Sequence, residues 1–143
     1  MKSDRIKLFL VDDNAVFLKT LEMEFKMHAN FEIYTFQTGE LCIKNLSVKP
    51  DVVILDYYLE NIEDNTLNGI ETLDKIKQYS ADIPVIMLSS EDKKDVAINC
   101  LHHRAFDYVV KSESAFVRLQ KIITSIFIFK KMEKQLEWYK KRR

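Results

Sequence analysis

Residues 51–56 read Asp-Val-Val-Ile-Leu-Asp, an unbroken apolar run between two carboxylates. A run this short, rich in β-branched residues and preceded by Pro50, predicts a strand buried on both faces. Such strands belong to parallel sheets that carry helices on either side. The same kind of run recurs on both sides of it. Residues 6–11 (IKLFLV) end at Asp12 and Asp13, and residues 31–36 (FEIYTF) lead into Thr38-Gly39. Residues 83–88 (IPVIML) end at Ser89 and Ser90, and residues 106–110 (FDYVV) end at Lys111.

Between these runs apolar side chains return at helical spacing: Phe17, Leu18, Leu21 and Phe25; Leu41, Cys42 and Leu46; Ile70, Leu73 and Ile76; Val96, Ala97, Cys100 and Leu101. Asn14 is placed to cap the first of these helices. The β-α alternation, repeated five times, predicts an α/β domain built on a doubly wound, five-stranded parallel sheet. From about Ser112 to Arg143 a single helix is expected, longer than the domain needs. Its first half should pack on the sheet, and its last part, residues 130–143 (KKMEKQLEWYKKRR), should project beyond it. Ile126, Phe129, Met132, Leu136 and Tyr139 would then stay exposed on a lone domain, which suggests a homodimer through this helix.

Length and composition narrow the function. The chain has 143 residues, enough for one well-cored domain. Lys plus Arg and Asp plus Glu number 22 each, so no global positive field recommends nucleic acid as a direct partner. Apolar residues make up 47%, too many for a disordered chain. With 2 Gly and 2 Pro, regular elements should fill most of the length. Cys42 and Cys100 form neither a CxxC pair nor a metal-binding spacing and read as buried thiols. His102 and His103 lack a third ligand and read as surface histidines. No stretch suits a signal peptide or a membrane span, so a cytoplasmic protein without membrane partners is expected.

The chemistry should lie at the carboxyl ends of the strands, where open parallel sheets bind ligands. Asp12, Asp13, Asp56, Ser89 and Lys111 all stand at such ends. Three carboxylates in one crevice repel one another and call for a hard divalent cation. A carboxylate beside Mg²⁺ and an ammonium can attack an activated phosphoryl group, since both cations neutralise charge on the transferring oxygens.

The ordered marks Asp12-Asp13, DVVILD (51–56), PVIMLSS (84–90) and DYVVK (107–111) resemble the receiver domains of two-component response regulators. The resemblance runs from about Arg5 to about Ile128 and implies a flavodoxin-like sheet in the order 2-1-3-4-5 with five helices, the last one extended. It divides the chain into a receiver domain, 1–128, and a helical extension, 129–143. It also implies that Asp56 is the phosphoacceptor and that Asp12, Asp13, Asp56 and the backbone carbonyl of Tyr58 bind Mg²⁺, for which Mn²⁺ could substitute. Ser89 and Lys111 would contact the phosphoryl group, with Ser89 preferred over Ser90 for its spacing to Lys111, and Tyr108 would be the aromatic switch.

The implied function is phosphorylation-dependent signalling. A histidine kinase or phosphotransfer protein would supply the phosphoryl group, and the face of the fourth helix, fifth strand and fifth helix would respond to its charge. The implied protein is not an enzyme; its only chemistry is its own phosphorylation and dephosphorylation. No effector segment is recognised after the receiver, which leaves a stand-alone domain or a fragment of a longer regulator.

Two alternatives compete. One is a pseudo-receiver that acts through helix-mediated assembly and is never phosphorylated. The other is a haloacid-dehalogenase-type phosphohydrolase, which resembles Asp-x-Asp at the nucleophile; here the second position is Tyr58, so that general acid is missing.

Three departures from the receiver pattern stand out. Gly69 lies farther from Asp56 than the family's glycine, which lengthens the loop 57–68. That loop is acidic at Glu60, Glu63 and Asp64 and is a candidate for choosing the kinase. Ser112 replaces the proline usual after the active-site lysine, and Arg104 replaces a glycine, so either the fourth helix ends differently there or Arg104 is mildly strained.

Overall fold

The computed structural model describes residues 5–28, 30–59 and 66–142. Five parallel strands, β1 (Ile6–Val11), β2 (Phe31–Phe36), β3 (Val52–Asp56), β4 (Val85–Ser89) and β5 (Asp107–Val110), form one sheet in the order β2-β1-β3-β4-β5. The helices are α1 (Ala15–Lys26), α2 (Gly39–Lys44), α3 (Gly69–Tyr79), α4 (Lys94–His102) and α5 (Ala115–Arg142). The expected topology, flavodoxin-like with an extended last helix, is the observed one.

β3 lies at the centre of the sheet with every residue buried, which explains its continuous apolar sequence. Period-two alternation divides the core between the two faces. Phe9, Val53, Leu55 and Met87 meet Leu73 and Ile76 of α3 on one side. Leu8, Leu10, Ile54, Ile86 and Leu88 meet Leu18, Leu21 and Phe25 of α1 and Leu119 and Ile123 of α5 on the other. Cys42 and Cys100 are both buried free thiols, as expected, and burial pushes them up to about 12 and about 11 respectively.

Side-chain caps set three helix starts. Asn14 accepts from the Phe17 N–H at 3.1 Å, and Thr38 accepts from the Leu41 N–H at 3.1 Å. At α3, Asn68 and Glu71 form a reciprocal capping box. Arg104, just past α4, has a φ of 70°, so of the two expectations for this position the strained, left-handed backbone is the observed one. His103 pairs with Asp74 at 2.8 Å between Nδ1 and Oδ1.

Several boundaries differ from expectation. β4 starts at Val85 and not at Ile83, because Pro84 has no N–H to give the ladder; its carbonyl accepts from Val53 at 3.1 Å. α5 starts at Ala115, after a turn in which the Ala115 N–H donates to the Ser112 carbonyl at 3.1 Å. Ile126 corrects the expectation of an exposed residue: it is 2% exposed and closes the lower edge of the core. Beyond it Phe129, Met132, Leu136 and Tyr139 are 58–65% exposed. Glu60, Glu63 and Asp64 lie outside the described residues. No described helix is long and apolar enough to cross a membrane.

Candidate functional site

Parallel strands deliver their carboxyl ends to one edge, and β1, β3 and β5 bring Asp12, Asp13, Asp56 and Lys111 together there. The three aspartates each offer an oxygen within 4.8 Å of the others. Asp12 and Asp56 are buried and Asp13 is half-buried. Lys111 reaches between them, its Nζ 2.8 Å from Asp12 Oδ2 and 3.4 Å from Asp56 Oδ1. One ammonium cannot neutralise three carboxylates. Burial first, and then the charge of Asp12, push the Asp56 carboxyl up to about 6, against the pull of Lys111 and the Tyr58 amide. An all-oxygen, acidic donor set with excess negative charge suits a hard divalent cation, so Asp12, Asp13 and Asp56 could hold one.

The surroundings orient these groups. The Asp12 carboxylate accepts from the Asn14 N–H at 2.9 Å, and Asp56 accepts from the Tyr58 N–H at 3.3 Å. Gly69 lets the start of α3 touch the turn after β3: a Cβ there would meet the Tyr57 carbonyl oxygen at 2.4 Å and that of Asp56 at 2.6 Å. A cavity of about 440 Å³ opens above Asp56, walled by Asp13, Tyr58, Ser90 and Lys111.

Ser89 and Tyr108 are near this cavity without lining it. Ser89 is fully buried, and its hydroxyl accepts from the Glu91 N–H at 3.1 Å. The Tyr108 hydroxyl donates to the Glu91 carbonyl. Ser90, which the spacing argument ranks second, is the serine that reaches the cavity wall.

Two further contacts shape the site. Lys111 Nζ sits 4.4 Å from the centre of the Phe17 ring, a cation–π contact that steadies the ammonium from below. Phe17 stands one helical turn after Asp13, the single hint available. The second contact is a bridge across the cavity mouth: the Tyr58 hydroxyl donates to the Glu91 carboxylate at 2.9 Å. The bond to Glu91 raises Tyr58 to about 12, while Lys93 first and Tyr58 second lower Glu91.

Residues 8–124 match the family model described as the response regulator receiver domain. The chain belongs to that family. This receiver domain is 35% identical, over 117 residues, to a protein-glutamate methylesterase/protein-glutamine glutaminase of Clostridium acetobutylicum. The match covers 79% of the chain and 32% of that protein. Among solved structures, the response regulator domain of Thermotoga maritima CheB superposes with a TM-score of 0.72 at 26% identity, covering 85% of this chain and 96% of that one. The CheX-CheY-BeF3-Mg+2 complex of Borrelia burgdorferi gives 0.71 at 27% identity, covering 84% of this chain and 88% of the matched one.

The receiver thus spans about a third of the methylesterase relatives' length. These relatives correct the expectation of a protein that is not an enzyme. They are named as enzymes, and the part of them that matches is a receiver of this kind, so receiver character is no ground for excluding catalysis.

Proposed function

We propose that this receiver domain takes a phosphoryl group onto Asp56 from a histidine kinase or phosphotransfer protein, in the cytoplasm, and passes the change on through the face of α4, β5 and α5. The observation that carries the reading is the position of Lys111, ion-paired with Asp12 and within 3.4 Å of Asp56 inside a three-carboxylate cluster. In the transfer an Asp56 carboxylate oxygen forms the new bond to phosphorus. The phosphorus–nitrogen bond of the donor phosphohistidine breaks, and the imidazole nitrogen keeps the electron pair and takes up a proton.

Asp12, Asp13, Asp56 and the backbone carbonyl of Tyr58 would hold Mg²⁺, with Mn²⁺ as a substitute. When bound, the ion neutralises negative charge on the transferring oxygens. The Borrelia burgdorferi complex, which contains both BeF3 and Mg+2, supports this reading. Lys111 leaves Asp12 to pair with a phosphoryl oxygen. Ser89 turns its hydroxyl from the Glu91 amide toward the same group, and Tyr108, bonded to the Glu91 carbonyl, follows that loop. Tyr58 in the second position after the acceptor counts against the dehalogenase-type hydrolase, and nothing at the site favours the pseudo-receiver.

The same reading assigns residues 1–128 to the receiver and 129–143 to an extension through which two copies pair. Phe129, Met132, Leu136 and Tyr139 follow one another at three- and four-residue steps, a seam suited to a second helix. A concentration-independent monomer mass by light scattering would remove that part.

Intact-protein mass spectrometry after incubation with acetyl phosphate and Mg²⁺ tests the central reading. One phosphoryl adduct on wild type, absent without Mg²⁺ and absent in Asp56→Asn, is expected. An adduct that persists in Asp56→Asn, or no adduct and no binding of a beryllofluoride mimic by wild type, overturns it.

A further inference from the structure

A second cavity, of about 450 Å³, opens at the opposite end of the sheet, where β4 and β5 begin and α5 leaves the core. Three cations come to it from three parts of the fold: Lys77 from α3, Arg104 from the turn after α4, and Lys130 from α5. Asp82 and Glu133 also line it, so positive charge is in excess by one. The half-exposed rings of Phe106 and Phe129 complete the wall.

Two features of this cavity cost stability. Arg104 holds a left-handed backbone, φ 70°, that glycine would adopt without strain. Among the described residues its guanidinium has no carboxylate partner, although Asp82 and Glu133 share the cavity. Lys77 is 8% exposed, and its ammonium donates to the carbonyls of Ala81 at 3.3 Å and Ile83 at 2.5 Å. Burial, then the charges of Arg104 and Lys130, lower its proton affinity against the opposing pull of Asp82. Like charges gathered in this way are relieved by an anion. A strained arginine is retained more readily where its side chain meets a ligand.

We propose that this cavity binds a small organic anion carrying a planar apolar ring, with its charge between Arg104 and Lys130 and its ring against Phe106 and Phe129. Lys77, already bonded to two carbonyls, adds positive potential from beneath and not a direct contact. The volume falls within the range of small-molecule sites, and a few charged groups on an apolar wall are the usual way such sites fix orientation. The site is separate from Asp56 and does not depend on the phosphoryl-transfer reading.

Titration of the whole chain with phenylphosphonate, which cannot donate a phosphoryl group, tests the proposal by amide NMR without divalent cations. Shifts are expected at Arg104, Ala105, Phe106 and Lys130, with inorganic phosphate binding at least tenfold more weakly for want of a ring. Arg104→Gly is expected to raise the melting temperature while weakening phenylphosphonate at least tenfold; gain of stability with loss of binding is the signature of strain kept for a ligand. Shifts confined to the Asp13 and Asp56 loops, or unchanged affinity in Arg104→Gly, would overturn the proposal.

Discussion

Lys111 Nζ stands 2.8 Å from Asp12 Oδ2, so Asp12 and not Asp56 is the lysine's nearer partner. The pair is largely buried, which makes it costly to break on one side alone. In the proposed transfer Asp12 stores the ammonium within reach of the acceptor until phosphoryl oxygens arrive.

The ring of Phe17 belongs to this arrangement. Phe17→Leu keeps most of the apolar volume and removes the π-face, a contact worth about 0.5–2 kcal/mol. Phosphorylation by acetyl phosphate is expected to slow several-fold in Phe17→Leu and to stay near wild type in Phe17→Tyr, read from the time course of the intact mass. Equal rates in all three proteins would detach Phe17 from the placement of Lys111.

Divalent cation should stabilise the fold, because the carboxylate cluster exists only when the chain is folded. At a free Mg²⁺ concentration 100-fold above its dissociation constant, the gain is about 2.7 kcal/mol. Thermal melts should show a clear rise for wild type on adding Mg²⁺ and a much smaller one for Asp13→Asn. An undiminished rise in the variant would place the ion elsewhere.

The pH dependence without metal follows from Asp56. Its folded value, about 6, lies above the ordinary 3.8, so on raising the pH the unfolded chain loses this proton first. Stability is therefore lost as pH rises through that window, and the full penalty, on the order of 2–3 kcal/mol, is present above about 6. Urea titrations in EDTA should show the decline in wild type and a flatter profile in Asp56→Asn, which should also be the more stable protein at pH 7. A wild-type profile no steeper than the variant's would remove Asp56 as its source.

Gly69→Ala tests the contact between α3 and the turn after β3. The added methyl would press on the Asp56 and Tyr57 carbonyl oxygens, backbone atoms that cannot rotate away. A loss of about 1–3 kcal/mol is expected by urea denaturation, as for overpacked cores. Phosphorylation should slow as well, since the acceptor turn must shift. A variant with wild-type stability would mean that α3 slides without resistance.

The strand-end residues were legible because buried parallel strands spell out their length in apolar side chains and give way at their carboxyl ends to a polar or charged residue. That rule found Asp12, Asp56, Ser89 and Lys111 without knowledge of their neighbours. It could not orient them. Whether Ser89 or Ser90 faces the cavity depends on a rotation of the chain at the end of β4, and the two residues are chemically alike. Ile126 was misjudged for a related reason: a continuous helical pattern does not mark where the sheet beneath it stops. Arg104 was half legible: the family resemblance pointed to a glycine at that place, but a different ending of α4 would have relieved the arginine equally well, and only the backbone decides for the left-handed form. The cations it joins come from distant parts of the sequence, and only the fold brings them together.

α5 runs without a break from Ala115, beneath β5, to Arg142. Its last buried residue is Ile126, and about 24 Å of helix continue past that point at 1.5 Å per residue. Such a rod is a mechanical lever. A tilt of about 5° at the root, small enough for side-chain repacking to absorb, would carry the far end through about 2 Å. A switch that alters β5 and the root of α5 by fractions of an ångström would therefore arrive at Tyr139 magnified, by geometry alone.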